Sequence, residues 1–575
     1  MSIYSDAVLI LKPSGYKAAE LYSVVPNTSV GDFDVARSST TTRINASGYI
    51  EQVAANVPRL NYDSGDSCPY LLTESASTNL ITYPISFGNS YWTKSGASIE
   101  GDESNLTTAV YTSDFSSDND SFVYNRLTAN ANVTIDGVDD ALRVTLFSGD
   151  GTHNMYSDRT KEGFSFLNSS DSDLYSVSFD VYIPSSNAKV DGIRFSYGGD
   201  YTPLTDTWTT YNVVVNPDLT YFYFFALDGA NTVIDSDGDM FYIKNITFKQ
   251  VQGFEAPKVD GSGGFEREAY KLVEDTSNGT HRVYANVTVT AEIDYTPSVY
   301  IKADEVTKVR IIENAIIGVP MSIKADLALG TITYDGTQVD NSSITELTNG
   351  WYRLSMSGAT NAGQTLYRYE ISLLDDSGSD SYTGDGTSGV YIAYAQLEES
   401  NYASSLMLPT TEGSTTSRVA DAITNAGNQS LFSNVNSSGT LYAEIAANSD
   451  DLTYRQMAIS DGTNSNYVRL YYDPASNTIT ARITVATVSV AEISYTVSDP
   501  TVFAKCAVRW RVNDFSLWTN GVERGTDVSG VSFAASTLTE FSFDGGGGTE
   551  NFYGKTKALA VFDYLSDTEM VTLTT

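Results

Sequence analysis

The sequence predicts an all-β protein built of several β-sandwiches, and three observations carry that expectation. Apolar and polar residues alternate in short runs along most of the chain, as in Leu174 to Pro184 and Leu366 to Leu374, which is the period of a strand with one buried face. Clusters of Gly, Asn, Asp and Ser separate those runs at close, regular spacing, as antiparallel sandwiches and jelly rolls require. At 575 residues the chain exceeds what one core fills, and its 41% hydrophobic and 12% aromatic content supplies material for several. The expected organisation is multidomain: an extended N-terminal arm over residues 1–85, a β-sandwich over 86–412, a jelly-roll sandwich over 101–253 inserted into it, and a C-terminal sandwich over 413–575.

The arm carries Pro13, Gly15, Pro26, Gly31 and Gly48, too much punctuation for a long helix. Its apolar runs, Ala7 to Leu11 and Leu21 to Val25, are short. A segment that cannot bury a core of its own must find one elsewhere, either as a strap on the first sandwich or as an anchor to another molecule. The first sandwich opens at Tyr91 in WTKSGASIEGD, breaks off, and resumes at Gly264 to Val289. Between these lie LYSVSFDVYIP, DGIRFSYGG, TWTTYNVVV, YFYFFAL and MFYIKNITFKQV, a self-contained strand set. Insertion at an exposed loop is ordinary when the insert's own ends lie close together.

The outer sandwich continues through TPSVYIKA, KVRIIENA, MSIKADLALGTITYDG, GWYRLSMSG, TLYRYEISLLDD and GVYIAYAQLEES, and Thr410 to Ser417 reads as a linker by composition. Beyond about residue 420, strands recur closely. Asn520-Gly521 marks a hairpin because both residues tolerate positive φ. Ser566 and Glu569 have the spacing of a capping box on a short terminal helix.

Charge excludes one class of partner. Lys plus Arg total 34 against 71 Asp plus Glu, a formal charge of -37, and no basic block exists to hold a phosphate backbone. The acidity is spread over loops, where it serves solubility or cation binding. Two cysteines, Cys68 and Cys506, make no disulfide framework and suit folding in a reducing compartment. The first sixteen residues lack a basic n-region, and their apolar stretch is too short for a signal peptide or a membrane span.

Five strings resemble known proteins. CPYLLTESASTNLITY with NSYWTKSGASI, and later SGVYIAYAQLEESNYASSLMLPTTEGSTTSRVAD, look like the join and the closing strands of carbohydrate-binding-type modules in bacteriophage fibre, spike and tail-associated proteins. DFSLWTNGVERGTD with NFYGKTKALAVFDYLSDTEM resembles a laminin-G or concanavalin-like domain. The resemblance implies a virion protein made in the bacterial host cytoplasm, attached to other virion proteins through its arm, working as a homotrimer and recognising host surface glycans. An architectural capsid decoration or adaptor is the first alternative, a polysaccharide depolymerase the second.

A depolymerase needs paired carboxylates about 5 to 9.5 Å apart around the sugar. The nearest string, Glu292-Ile-Asp294-Tyr-Thr-Pro297, lacks the final acid of the E-x-D-x-x-E pattern that concanavalin-like glycosidases carry, so the expectation is a protein that is not an enzyme. His153 and His281 stand far apart in turn-like surroundings and read as surface residues. Sugar binding uses an aromatic ring stacked on a pyranose beside polar groups; the candidates are Tyr197, Asp200, Tyr201 and Trp208 in the insert, although Trp208 and Trp351 each open an apolar strand and suit a core. Asp235, Asp237 and Asp239 could offer carboxylates to a structural calcium. Met240 and Ile246 stand where an EF-hand needs Gly and Glu, and Lys244 stands near the place where jelly-roll modules carry a calcium-binding Asp.

Overall fold

Alternating burial runs through the computed structural model, which describes residues 3–575 apart from 64, 101–105, 114, 119, 148–152, 159, 162–163, 165–174, 196–198, 216–220, 229–237, 252–253, 258, 260–264, 315–316 and 476. Strands such as Phe33–Ala36 and Arg282–Thr288 bury every second residue, so sheets stacked face to face are the form that hides their apolar side. Among the described residues the single α-helix is Asp567–Thr574, and its N-cap Ser566 has its backbone N–H bound by Glu569 at 2.8 Å. The fold class is all-β, in multiple antiparallel sheets. The chain divides into two compact units: Met1–Ile99 with Ala256–Glu266 and Tyr270–Thr575, and Glu100–Glu255 with Arg267–Ala269.

In the first unit, one sandwich pairs a six-stranded sheet with a seven-stranded one. The six run in the order Thr93–Ser95, Arg282–Thr288, Leu366–Leu374, Lys308–Glu313, Met321–Asp326, Thr331–Asp335. The seven-stranded sheet includes Gly389–Glu398, Asp294–Ala303, Trp351–Ala359 and the edge strand Asn341–Glu346. Their facing sides bury Val299, Ile301, Leu354, Ile371, Tyr369 and Trp92. A second sandwich sets a five-stranded sheet, Arg455–Ser460 to Val488–Thr496 with Glu540–Ser542, against an eight-stranded one whose middle is Ala504–Arg511, Ser438–Ala447 and Gly554–Phe562. Asn520 and Gly521, at φ 46° and 77°, turn Asp514–Thr519 into Val522–Asp527, the left-handed pair that matches strand twist.

The expected arm is not a separate element. Ala7–Leu11, Tyr70–Leu72 and, beyond it, Arg59–Asn61 extend the eight-stranded sheet along the free edge of Gly554–Phe562. Phe33–Ala36 pairs with Ala422–Thr424. Leu9, Leu11, Leu21, Phe33, Val35, Leu60 and Leu71 are buried in the core of the C-terminal sandwich. The boundary at residue 85 therefore corrects to a strap: runs too short to form a sheet complete the edge and cap the core of one already built. The expected linker is also pinned, because Glu412 accepts the backbone N–H of Ile85 at 2.7 Å and of Ser86 at 3.1 Å, and Thr416–Arg418 pairs with Ser77–Asn79.

A buried ionic cluster ties this strap to the segment that leaves the first sandwich. Arg59 binds both Glu74 and Asp421; Arg37 binds Asp421 at 2.8 Å and Arg418 binds Glu74 at 2.7 Å. Ser404 joins Arg418 to the buried Glu398, whose carboxylate also accepts Ser77 at 2.6 Å. Burial alone raises a carboxyl, but Arg418 and Arg59 hold Glu74 well below the usual carboxylate range. Burial likewise depresses a guanidinium, yet Asp421 and Glu74 hold Arg59 above its ordinary value.

The second unit has its own core. Leu127–Ile135, Val138–Leu146, Met240–Val251, Tyr175–Tyr182 and Thr209–Val215 form one sheet, with Leu106–Thr112 also on Met240–Val251. Val123–Asn125, Asn154–Asp158, Tyr221–Leu227, Gly192–Phe195 and Gly199–Tyr201 form the other. Phe164, Phe179, Phe195, Phe222, Phe224 and Phe248 lie buried between them.

Two substitutions test these balances. Glu74→Gln leaves buried guanidinium charge uncompensated, and chemical denaturation should show a loss of about 3–5 kcal/mol. Glu313, almost fully buried on Lys308–Glu313 and bound by Gln364 at 2.9 Å, has its carboxyl pushed up to about 7 by burial. A raised carboxyl contributes stability that is complete below its unfolded value and lost as pH rises through the folded one. Thermal midpoints of Glu313→Gln should therefore lack the decline that the wild type shows between about pH 4.5 and 7.

Candidate functional site

A polar carpet lies on the outer face of the seven-stranded sheet, and strand register makes it. Asn341 stands opposite Ser357, Ser343 opposite Ser355, and Thr345 opposite Arg353. On the next strand Ser298 stands opposite Ser355 and Tyr300 opposite Arg353. Because side chains alternate across a strand, Val299, Leu354 and Ile344 turn to the apolar side of the sheet while hydroxyls, an amide, a guanidinium and a phenol share its other face. Exposure follows the same alternation along Asn341–Glu346, where Asn341, Ser343 and Thr345 are exposed.

Apart from Ser298, which is fully buried, the carpet residues form one wall of a cleft of about 470 Å³, within the range of small-ligand sites. Thr42, Arg43, Ile44 and Asn61 of the strap line it, with Asn401, Tyr402 and Ser405 of the exit segment and Asn448, Ser449, Thr501 and Lys555 of the C-terminal sandwich. Arg353 donates to Ser298 at 2.9 Å and lies 5.5 Å over the Tyr300 ring. Lys555 lies 5.7 Å over the Tyr70 ring. Burial pushes the Tyr402 hydroxyl up, and the Glu74 carboxylate adds to the effect. Burial raises Tyr300 also, with Arg353 opposing. Glu74 is the carboxylate of the lining, and Arg59, Arg418 and Ser405 bind it. Hydroxyls and amides in rows beside phenol rings can hydrogen-bond and stack a polyhydroxylated ring. Among the described residues Glu74 is the one carboxylate in the lining, where acid and base work on a glycosidic bond uses two.

The residues expected to bind sugar lie elsewhere, in the second unit, and those described do not converge. Tyr197 lies outside the described residues. Asp200 pairs with Arg194 through two bonds of 2.5 and 2.9 Å on the Gly192–Phe195 and Gly199–Tyr201 hairpin. Tyr201 packs at 4.5 Å from Tyr211 and 5.5 Å from Phe179, at the rim of the core. Trp208 joins a small apolar patch with Tyr182, Tyr242 and Met240, under Lys244 at 5.0 Å from its ring. Asp235 and Asp237 also lie outside the described residues. Asp239 is nearly buried, and its carboxylate accepts the backbone N–H of Ala188, Lys189 and Val190 at 2.8, 2.8 and 3.0 Å. That geometry clamps a loop. Among the described residues no group of three His, Cys, Asp or Glu is placed to hold a metal.

The histidines correct the sequence expectation, since both are fully buried. His281 places its two ring nitrogens against the carbonyls of Gly96 and Tyr382, and His153 sets Nε2 2.5 Å from that of Phe147. Backbone carbonyls meet both ring nitrogens of His281 and one of His153, which offsets the cost of burying a polar ring. Trp351 is core, as its strand pattern suggests. The cleft residues went unremarked because each strand reads as ordinary alternation; the signal was that NSSITE, WYRLSMSGA and DYTPSVYIKA carry Ser, Thr, Asn, Arg and Tyr at matching parity.

The fold and cleft define a multidomain β-sandwich protein with a polar groove. No family model and no curated protein matches the chain. Among solved structures it is similar to domains LG4-5 of the mouse laminin alpha1 chain, at 9% identity over 54% of this chain and 93% of that one, TM-score 0.19. It is also similar to the Bacteroides ovatus xyloglucan PUL GH43B, at 10% identity over 77% and 100%, TM-score 0.18. A bifunctional GH43-CE of Bacteroides eggerthii matches at 9% identity over 77% and 63%, TM-score 0.18.

If Asp239 acts as a clamp, Asp239→Ala should lower stability by about 1.5–3 kcal/mol through lost charge-assisted bonds, and the loss should persist in a chelating buffer. A loss seen only with calcium present identifies a metal ligand instead.

Proposed function

We propose that this protein recognises saccharide chains without cleaving them, and that the cleft beside the outer face of the seven-stranded sheet is its binding site. The observation that carries the reading is the ladder of Asn341, Ser343, Thr345, Arg353, Ser355, Ser357 and Tyr300 along the cleft. Rows of donors and acceptors one strand spacing apart match the repeated hydroxyls of a sugar ring, and the neighbouring phenols supply apolar area. The lining carboxylate is held in an ionic cluster, which favours binding over hydrolysis.

The resemblance of Cys68 to Tyr83, and of Ser388 to Asp421, to bacteriophage fibre and spike proteins supports a wider reading. The protein is then a virion component made in the host cytoplasm, attached to other virion proteins and displaying its sandwiches to host surface glycans as a homotrimer. Linked copies would multiply weak single-site affinity.

A glycan array followed by chromatography of the incubated saccharides tests the binding function. Retention of a defined saccharide with its length unchanged is the expected result. Shortened products indicate the depolymerase, and no retention favours an architectural decoration. Ser343→Trp, an exposed position, should fill the groove and weaken retention at least about tenfold while the thermal midpoint stays within a degree or two.

A further inference from the structure

We propose that the ligand of this cleft carries negative charge: the groove takes an acidic saccharide, with Arg353 and Lys555 reading its carboxylate or sulfate. The inference rests on the saccharide-binding reading and narrows it to a substrate class. Three cations line the cleft, and their surroundings differ. Arg43 is neutralised by Glu51 at 3.0 Å. Arg353 and Lys555 have no carboxylate within 4 Å among the described residues. Their contacts within the protein are to a hydroxyl and to the faces of tyrosine rings: Ser298 and Tyr300 for Arg353, Tyr70 for Lys555.

Charge bookkeeping makes this distribution informative. Acids outnumber bases 71 to 34 in this chain, whereas the lining of the groove holds three cations, Arg43, Arg353 and Lys555, and one carboxylate, Glu74. The carboxylate that lines the cleft, Glu74, is engaged by Arg59 and Arg418, and Arg43 is matched, which leaves the groove with two uncompensated positive groups. Arg353 also holds a buried Nε with no hydrogen-bond acceptor. The guanidinium carbon stands 5.5 Å from the Tyr300 ring centre and one terminal nitrogen is fixed by Ser298, which orients the other for a charge-assisted bond to a carboxylate or sulfate oxygen. Tyrosine faces beneath both cations keep them partly desolvated, which strengthens their attraction for an anion over that of a cation in open water.

The test uses the full chain on an array of matched pairs: uronic-acid saccharides beside their carboxyl-reduced neutral counterparts, and sulfated saccharides beside unsulfated ones. The acidic member of at least one pair should bind at least tenfold more tightly, and Arg353→Gln and Lys555→Gln should each erase most of that preference, with Arg353→Lys keeping part of it. Which pair responds distinguishes carboxylate from sulfate. Equal binding of acidic and neutral members, or a preference that survives both substitutions, overturns the inference and leaves saccharide binding standing. Failure to bind any saccharide removes the binding reading and this inference together. Thermal midpoints accompany each variant, and if Arg353→Gln does not fold, Lys555→Gln alone decides, since its side chain is only half-buried.

Discussion

The sealing of three arginines among three acids is the constraint on which the first unit depends. Arg37, Arg59 and Arg418 are each at most 2% exposed, as are the carboxylates of Glu74, Asp421 and Glu398 to within 4%. Taking such groups out of water costs several kcal/mol apiece, and pairing offsets that cost only when the geometry satisfies most of the donors. Here it does so with residues far apart in sequence. Arg37 also donates to the carbonyls of Ser39, Ala54 and Val57, Glu74 also accepts from Ser405, and Asp421 also accepts the backbone N–H of Glu74. None of the three segments can complete the cluster alone, so the strap, the closing strand Gly389–Glu398 of the first sandwich and the exit segment have a shared register.

That register builds the cleft. Glu74 and Ser405 belong to the cluster and also line the groove, so the position of the strap wall opposite the polar carpet is set by buried charge. A hydrophobic contact slides with little penalty, whereas an arginine displaced from its acid leaves two charges unpaired. The consequence for binding is preorganisation: the hydroxyl rows and the strap residues facing them are held before a ligand arrives, which reduces the ordering cost of association.

Much of the fold was legible because each strand announced itself locally. Leu174 to Pro184 contains Tyr175–Tyr182, the string DGIRFSYGG contains Gly192–Phe195, and Met240–Val251 is the whole of MFYIKNITFKQV. The hairpin Leu127–Ile135 with Val138–Leu146 was passed over although Asp136-Gly137, at φ 51° and 72°, is a hairpin turn; its polar strand face obscured the alternation. The strap was misjudged for a different reason. Its strands complete sheets hundreds of residues away, as Ala7–Leu11 does on Gly554–Phe562, and no local pattern encodes an edge left open elsewhere. The cleft was hidden for the same cause, since register between Asn341–Glu346, Trp351–Ala359 and Asp294–Ala303 exists only once the sheet forms. The strings that resemble fibre proteins did point to something physical: YLLTES and SRVAD supply Glu74, Arg418 and Asp421, the two sides of the buried cluster.

The acidity of the chain also finds its explanation in structure. Asp275, Asp375, Asp385, Asp461, Asp499 and Asp527 each accept the backbone N–H two residues on, at 2.7 to 3.0 Å, and each of those residues is Ser or Thr whose hydroxyl bonds the same carboxylate in turn. This is the Asx turn, in which a short carboxylate imitates a backbone carbonyl and closes the loop. The bonds hold the carboxyls of Asp275 and Asp375 below their ordinary range, the Ser277 and Ser377 hydroxyls acting first. A protein of many antiparallel strands needs many tight connections, and aspartate is one of the few residues that stabilise them. Part of the negative charge follows from that construction, since these aspartates are placed by the turns they close. Against so negative a background, a groove lined by three cations and one carboxylate departs from the charge balance of the chain as a whole.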